Sequence, residues 1–130
     1  MDFIKSIFAK KNTAPDHIKI KFNQLFPKAV GVEWCKLKDS VEAVFTEEGK
    51  EKISLFSLEG NLIELKTNLS IEAIPNTVAK AVEQEGEIMN CISVFIPEVL
   101  NYELIVRDSN LKRYRISSDK NGAILSKVEL

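Results

Sequence analysis

The sequence predicts an α+β fold: two consecutive α-β-β-β-β units whose strands form one antiparallel eight-stranded sheet with both helices on one face. Three observations carry that expectation. Two apolar stripes at helical spacing each lie beside a proline, four strand-like runs follow each stripe, and the turns between runs are short and rich in Gly, Asn and Asp.

The first helix is predicted over 14–26. Thr13-Ala14-Pro15-Asp16 supplies a capping hydroxyl, a proline for the first turn and an acid for the positive helix end. Ile18, Phe22, Leu25 and Phe26 then fall on one stripe, and Pro27 ends it. Strand-like runs follow at 29–37, 41–47, 50–57 and 61–67, divided by Lys38-Asp39-Ser40, Glu47-Glu48-Gly49 and Leu58-Glu59-Gly60-Asn61. The same spacing returns 56 residues later as Ile74, Val78, Ala81 and Val82, which predicts a helix over 75–85 opened by Pro75. Gly86 is placed to end it as a left-handed cap. Further strands are expected at 88–96, 101–107, 111–117 and 123–128. Val41–Phe45 matches Tyr102–Val106 at an offset of 61, as Ile53 and Leu55 match Tyr114 and Ile116. Gly60 matches Gly122 at 62, which places one inserted residue in the last turn. The change from 56 to 61 places about five extra residues between the second helix and the hairpin after it.

Alternation along the strands assigns faces. Ala43, Phe45, Ile53, Leu55, Leu104, Val106, Tyr114 and Ile116 are expected to face the helices. Glu42, Val44, Lys52, Ser54, Phe56, Glu103, Ile105, Arg113 and Arg115 are expected on the open side. The first strand of each unit is not phased by this argument.

Composition narrows function by exclusion. Eighteen basic and nineteen acidic residues in 130 give a net charge of −1, no footprint for nucleic acid. Residues 1–13 read as an amphipathic extension ahead of a single domain, 14–130, built of repeats 14–69 and 70–130. Phe3, Ile4, Ile7 and Phe8 share a helical face opposite Lys5, Lys10 and Lys11. That face suits docking on the chain's own domain or on a neighbour, with contact of residues 1–11 to a membrane surface as the lesser alternative. Lys5 and Ser6 interrupt the apolar run a secretory signal needs, and no membrane-spanning segment is present, so the expected address is cytoplasmic.

Chemistry-bearing residues are sparse. His17 is the single histidine, and the adjacent Asp16 points elsewhere on a helix, so His17 reads as a surface residue. Cys35 and Cys91, also 56 apart, read as buried strand thiols at equivalent positions. The acidic turns at Glu47-Glu48 and Asp119 lack the alternating ligands of a calcium loop. Arg113-Tyr114-Arg115 beside Lys112 is one basic strand, a poor platform for RNA. No catalytic, cofactor or metal residues are assigned.

Phe22, Phe26-Pro27, Ala29, Val32 and Trp34 resemble the "F…FP-A…V-W" opening of the PepSY-like, beta-lactamase-inhibitor-like proteins. Phe45, Gly49, Phe56 and Gly60 fit that family's following hairpins, and Ile74-Pro75 stands where it has Leu-Pro. The resemblance covers about residues 14–130 and implies a beta-lactamase-inhibitor-protein-like fold. It also implies a non-enzymatic module, possessing no assigned activity and commonly exported, which makes the periplasm the alternative address. The inhibitor that lends the fold its name grips an enzyme with its open sheet face. The expected function is therefore binding of an unidentified protein or peptide through Glu42, Val44, Lys52, Phe56, Glu103, Ile105, Arg113 and Arg115. A carrier of small apolar ligands, needing an enclosed pocket of ~300 Å³ or more, is the rival, and an unrecognised enzyme is the lesser alternative.

Overall fold

The computed structural model describes residues 14–130. The expected extension 1–13, with its capping Thr13 and its apolar face, lies outside the described residues. The element order is α1 (Asp16–Leu25), β1 (Ala29–Lys36), β2 (Ser40–Glu47), β3 (Lys50–Ser57) and β4 (Leu62–Leu69). A 3-10 turn at Ile71–Ala73 leads to α2 (Asn76–Glu83), β5 (Glu87–Ile96), β6 (Val99–Arg107), β7 (Arg113–Asp119) and β8 (Ile124–Glu129). The strands lie in chain order, β1 to β8, in one eight-stranded antiparallel sheet. The chain divides into two compact units, one ending at Thr67 and the other running Asn68–Leu130.

In the first unit, α1 buries Ile18 and Phe22 against Val41, Ala43 and Phe45 of β2 and Phe56 of β3. Phe22 is the hub, with ring centroids 5.1 Å from Phe26, 5.0 Å from Trp34 and 4.8 Å from Phe45. The edge-on and tilted geometries add to the large area such rings remove from water. Helix α1 has no side-chain cap; Pro15 precedes it, and the Pro15 carbonyl accepts from the N–H groups of Ile18 and Lys19. Its first turn is instead fastened from outside: His17 Nε2 donates to the Leu58 carbonyl in the β3–β4 turn at 2.9 Å.

The second unit repeats that construction with other residues. Val78 and Val82 of α2 pack on Leu104, Val106 and Ile116, with Cys91 and Tyr102 beside them. Thr77 donates its hydroxyl to the Lys120 carbonyl in the β7–β8 turn at 2.9 Å. The helices therefore superimpose Pro15 on Pro75, His17 on Thr77, Ile18 on Val78 and Phe22 on Val82. That offset differs from the one the apolar stripes give. The physical reason is that Leu25, counted as core, is 43% exposed, whereas Ala14 and Ile74 are buried. Helix α2 ends at Glu83 with Gln84 in a right-handed conformation, so Gly86 is not its cap. Gly86 is needed for close approach: a Cβ there would lie 2.6 Å from the Arg107 carbonyl oxygen.

Register locates the insertions. Trp34 is opposite Ala43, and Cys91 is opposite Leu104. The second unit is thus shorter between helix and first strand, and it recovers the length in its first hairpin, where Phe95–Leu100 replaces Lys38-Asp39. The further inserted residue is not in the last turn. Glu47 pairs with Lys50 around Glu48-Gly49, while Asp108 donates its N–H to Lys112 around Ser109-Asn110-Leu111. One residue is enough to invert a strand's faces. Ser54 and Phe56 are consequently the counterparts of Ile116 and Ser118, and they point toward α1.

Candidate partner-binding sheet faces

The register of β3 corrects two expected site residues. Phe56 is opposite Val41 and 0% exposed, within the aromatic core under α1. Lys52 is opposite Phe45 on that same side, where its ammonium donates to Glu47 Oε1 at 3.0 Å. Ile53 and Leu55 take the other side of β3, contrary to the assignment made from alternation.

The face of the first unit opposite α1 therefore contains Glu42 and Val44 from β2, joined by Ile53 and Leu55. Val44 lies between Glu33 and Ile53, and Glu42 between Cys35 and Leu55. On β4, Lys66 sits beside Ile53 and Glu64 beside Leu55, with Lys66 Nζ 3.9 Å from Glu64 Oε1. Cys35 is buried on this face, and burial, then the charge of Glu42, pushes its thiol pKa up. Cys91 is on the opposite side of its own strand, in the core beneath α2, where burial pushes its pKa up to about 12. The two cysteines are one position out of equivalence. Neither environment favours the thiolate a nucleophile requires.

In the second unit, the four expected residues Glu103, Ile105, Arg113 and Arg115 share the face opposite α2. Ile105 is flanked by Asn90 and Arg115, and Glu103 by Ile92 and Ser117. Sequence reasoning missed Arg107, although the alternation of Glu103, Ile105 and Arg107 along β6 contains it. Arg107 is directly opposite Arg113 on one side and Glu87 on the other. Its Nη2 donates to Glu87 Oε1 at 3.0 Å. Among the described residues neither Arg113 nor Arg115 forms an ion pair, and both are exposed. Like charges directly opposite across strands destabilise by a fraction of 1 kcal/mol to about 1 kcal/mol. Glu87 offsets that cost at Arg107, whereas no ion pair among the described residues offsets it at Arg113.

A groove of about 420 Å³ lies at the far end of this unit, beside the lengthened hairpin. Phe95, Val99 and Leu100 form its apolar wall, and Glu98, Asp119 and Lys120 are among its polar ones. It opens to solvent at turns and is not the enclosed space between sheet and helix that a carrier would need. Among the described residues no three His, Cys, Asp or Glu side chains converge in a metal-binding group.

Several solved structures share this architecture. A candidate periplasmic protein from Bacteroides eggerthii DSM 20697 aligns with a TM-score of 0.80 at 22% identity, covering 91% of this chain and 90% of that one. A BLIP-like protein from Bacteroides fragilis NCTC 9343 aligns with a TM-score of 0.78 at 19% identity, over 89% and 86%. The fold is BLIP-like. A DUF2874 family protein from Bacteroides ovatus ATCC 8483 also aligns, with a TM-score of 0.80 at 23% identity over 91% of this chain and 89% of that one. No family model and no curated protein matches the chain. The beta-lactamase-inhibitor-like part of the resemblance thus holds for the fold. Among the described residues no helix is long and apolar enough to cross a membrane.

Proposed function

We propose that this chain is a non-enzymatic binding module of the PepSY-like kind, in which residues 14–130 form one domain of repeats 14–69 and 70–130. It takes a protein or peptide on the sheet face opposite α2. The observation that carries the reading is the guanidinium group of three: Arg107 opposite Arg113, with Arg115 next along the same face, and Glu87 bonded to Arg107 alone. Planar guanidinium groups beside the half-buried Ile105 suit a partner that offers carboxylates around an apolar anchor. The candidate periplasmic neighbour supports an exported setting for such a module.

The test is a photo-crosslinking residue at Ile105, followed by calorimetry on the captured and purified partner. Arg113→Ala with Arg115→Ala should weaken binding at least tenfold while the melting temperature stays level or rises slightly, since the variant also removes the repulsion between Arg107 and Arg113. Phe56→Ala should behave in the reverse way, with roughly 3–5 kcal/mol of stability lost from the core. Undiminished affinity in the double arginine variant would refute the proposed face.

A further inference from the structure

Strand β8 stands at one end of the strand order, and all six of its residues are exposed. An edge of this sort presents unpaired backbone groups that can template another strand. Its ladder with β7 shows which groups those are. The N–H of Leu130 donates to the Arg113 carbonyl at 2.9 Å, and Arg115 is opposite Val128 and Ser117 opposite Ser126. Antiparallel ladders alternate, so Ser126, Val128 and Leu130 turn their backbone groups toward β7, whereas Lys127 and Glu129 turn theirs outward. The irregularity between Ser117 and Ser118 lies before this stretch, which leaves 126–130 regular.

A second copy meeting this edge about a two-fold axis must pair outward residues with outward residues. Three registers set these two outward residues against each other or against themselves. One sets Lys127 opposite Lys127 and another sets Glu129 opposite Glu129, both repulsive. The third sets Lys127 opposite Glu129 twice, with Val128 meeting Val128 on the axis and Ser126 opposite Leu130. Charge selects the third. Val128 and Leu130, 46% and 60% exposed, would be covered by it. Within one copy the Lys127 ammonium lies inboard, 4.4 Å from the Tyr114 ring centroid on β7 and 3.2 Å from Glu85, so the pair across the axis needs it to turn outward from those contacts. Glu129 forms no ion pair among the described residues.

We propose that β8 is a self-association edge, on which two copies pair antiparallel with Lys127 of each opposite the partner's Glu129. The interface is small, and the dimer is correspondingly weak and reversible. Sedimentation velocity up to ~1 mM protein should show a monomer–dimer equilibrium, the range in which contacts of this size bind. Amide exchange at Lys127 and Glu129 should slow as concentration rises. Glu129→Lys should weaken the dimer roughly tenfold or more, because two attractive pairs become repulsive. The exchange Lys127→Glu with Glu129→Lys should restore it. Glu129→Pro removes an N–H that bonds nothing within the chain, so it should abolish the dimer and leave the melting temperature almost unchanged. A monomer at every concentration, an open-ended polymer, or a dimer that survives Glu129→Pro in the folded protein would overturn the proposal.

Discussion

Ser54 illustrates how much depends on a single side chain's direction. Its hydroxyl is fully buried beneath α1 and, among the described residues, has no hydrogen-bond partner. A buried unsatisfied hydroxyl costs about 1–3 kcal/mol. Ser54→Ala should therefore stabilise the protein by ~1 kcal/mol in urea unfolding, with an unchanged slope. Ser118 is the control. It is equally buried but donates to the Asp119 carbonyl at 2.8 Å, so Ser118→Ala should give no gain. Equal responses at the two serines would contradict this account. Much of the core was legible from residue type and spacing: Ile18, Phe22, Val78 and Val82 are buried as periodicity requires. The side of β3 was not. Lys-Ile-Ser-Leu-Phe alternates with apolar residues in both phases, Ile53 and Leu55 in one and Phe56 in the other, so local pattern cannot choose. The contacts of Phe56 with the α1 aromatic cluster decide it.

Turns fix what the strands display, and their chemistry can be tested at two places. Gly122 has φ +88°, and a Cβ there would be 2.4 Å from the Thr77 carbonyl oxygen, where the start of α2 meets the β7–β8 turn. Gly49 has φ +81° with open space around it. Gly49→Ala should cost only the ~1 kcal/mol of left-handed backbone, whereas Gly122→Ala should cost at least 2–3 kcal/mol, because backbone must move as well. Comparable losses in thermal unfolding would remove the close approach from the explanation. The β6–β7 turn is organised by Asp108, whose carboxylate accepts from the N–H groups of Asn110 and Lys112 and from the Tyr114 hydroxyl. The Lys112 backbone bond is the largest influence holding its pKa below the usual aspartate range. A depressed acid stabilises fully above its unfolded-state value, and the contribution fades as pH falls through the folded value. Carboxylate NMR should place the Asp108 midpoint below the ordinary range, and Asp108→Asn should weaken the turn near neutrality while making little difference in strong acid. The extra residue between Asp108 and Lys112 escaped sequence reading because Gly60 and Gly122 have the same offset whether it precedes or follows β7.

For the molecule as a whole, duplication was the most readable property. Four strands after each helix, in chain order, follow from short turns and alternation, and the observed sheet has that order. The site was less readable, since a face is known only when every strand's phase is known: Glu103, Ile105, Arg113 and Arg115 were brought together, whereas Lys52 and Phe56 were not. Net charge makes a separate prediction at this scale. With −1 at pH 7 and an isoelectric point near 5.9, solubility should pass through a minimum close to pH 6 and recover on either side. A monotonic solubility profile across that range would show that some local patch, not net charge, governs association. The aromatic partition has a spectroscopic consequence. The single tryptophan, Trp34, stands edge-on to Phe22 in the first unit, while both tyrosines, Tyr102 and Tyr114, belong to the second. Each half thus carries its own chromophore, so indole emission and tyrosine absorbance can time the melting of the two halves separately in the unmodified chain.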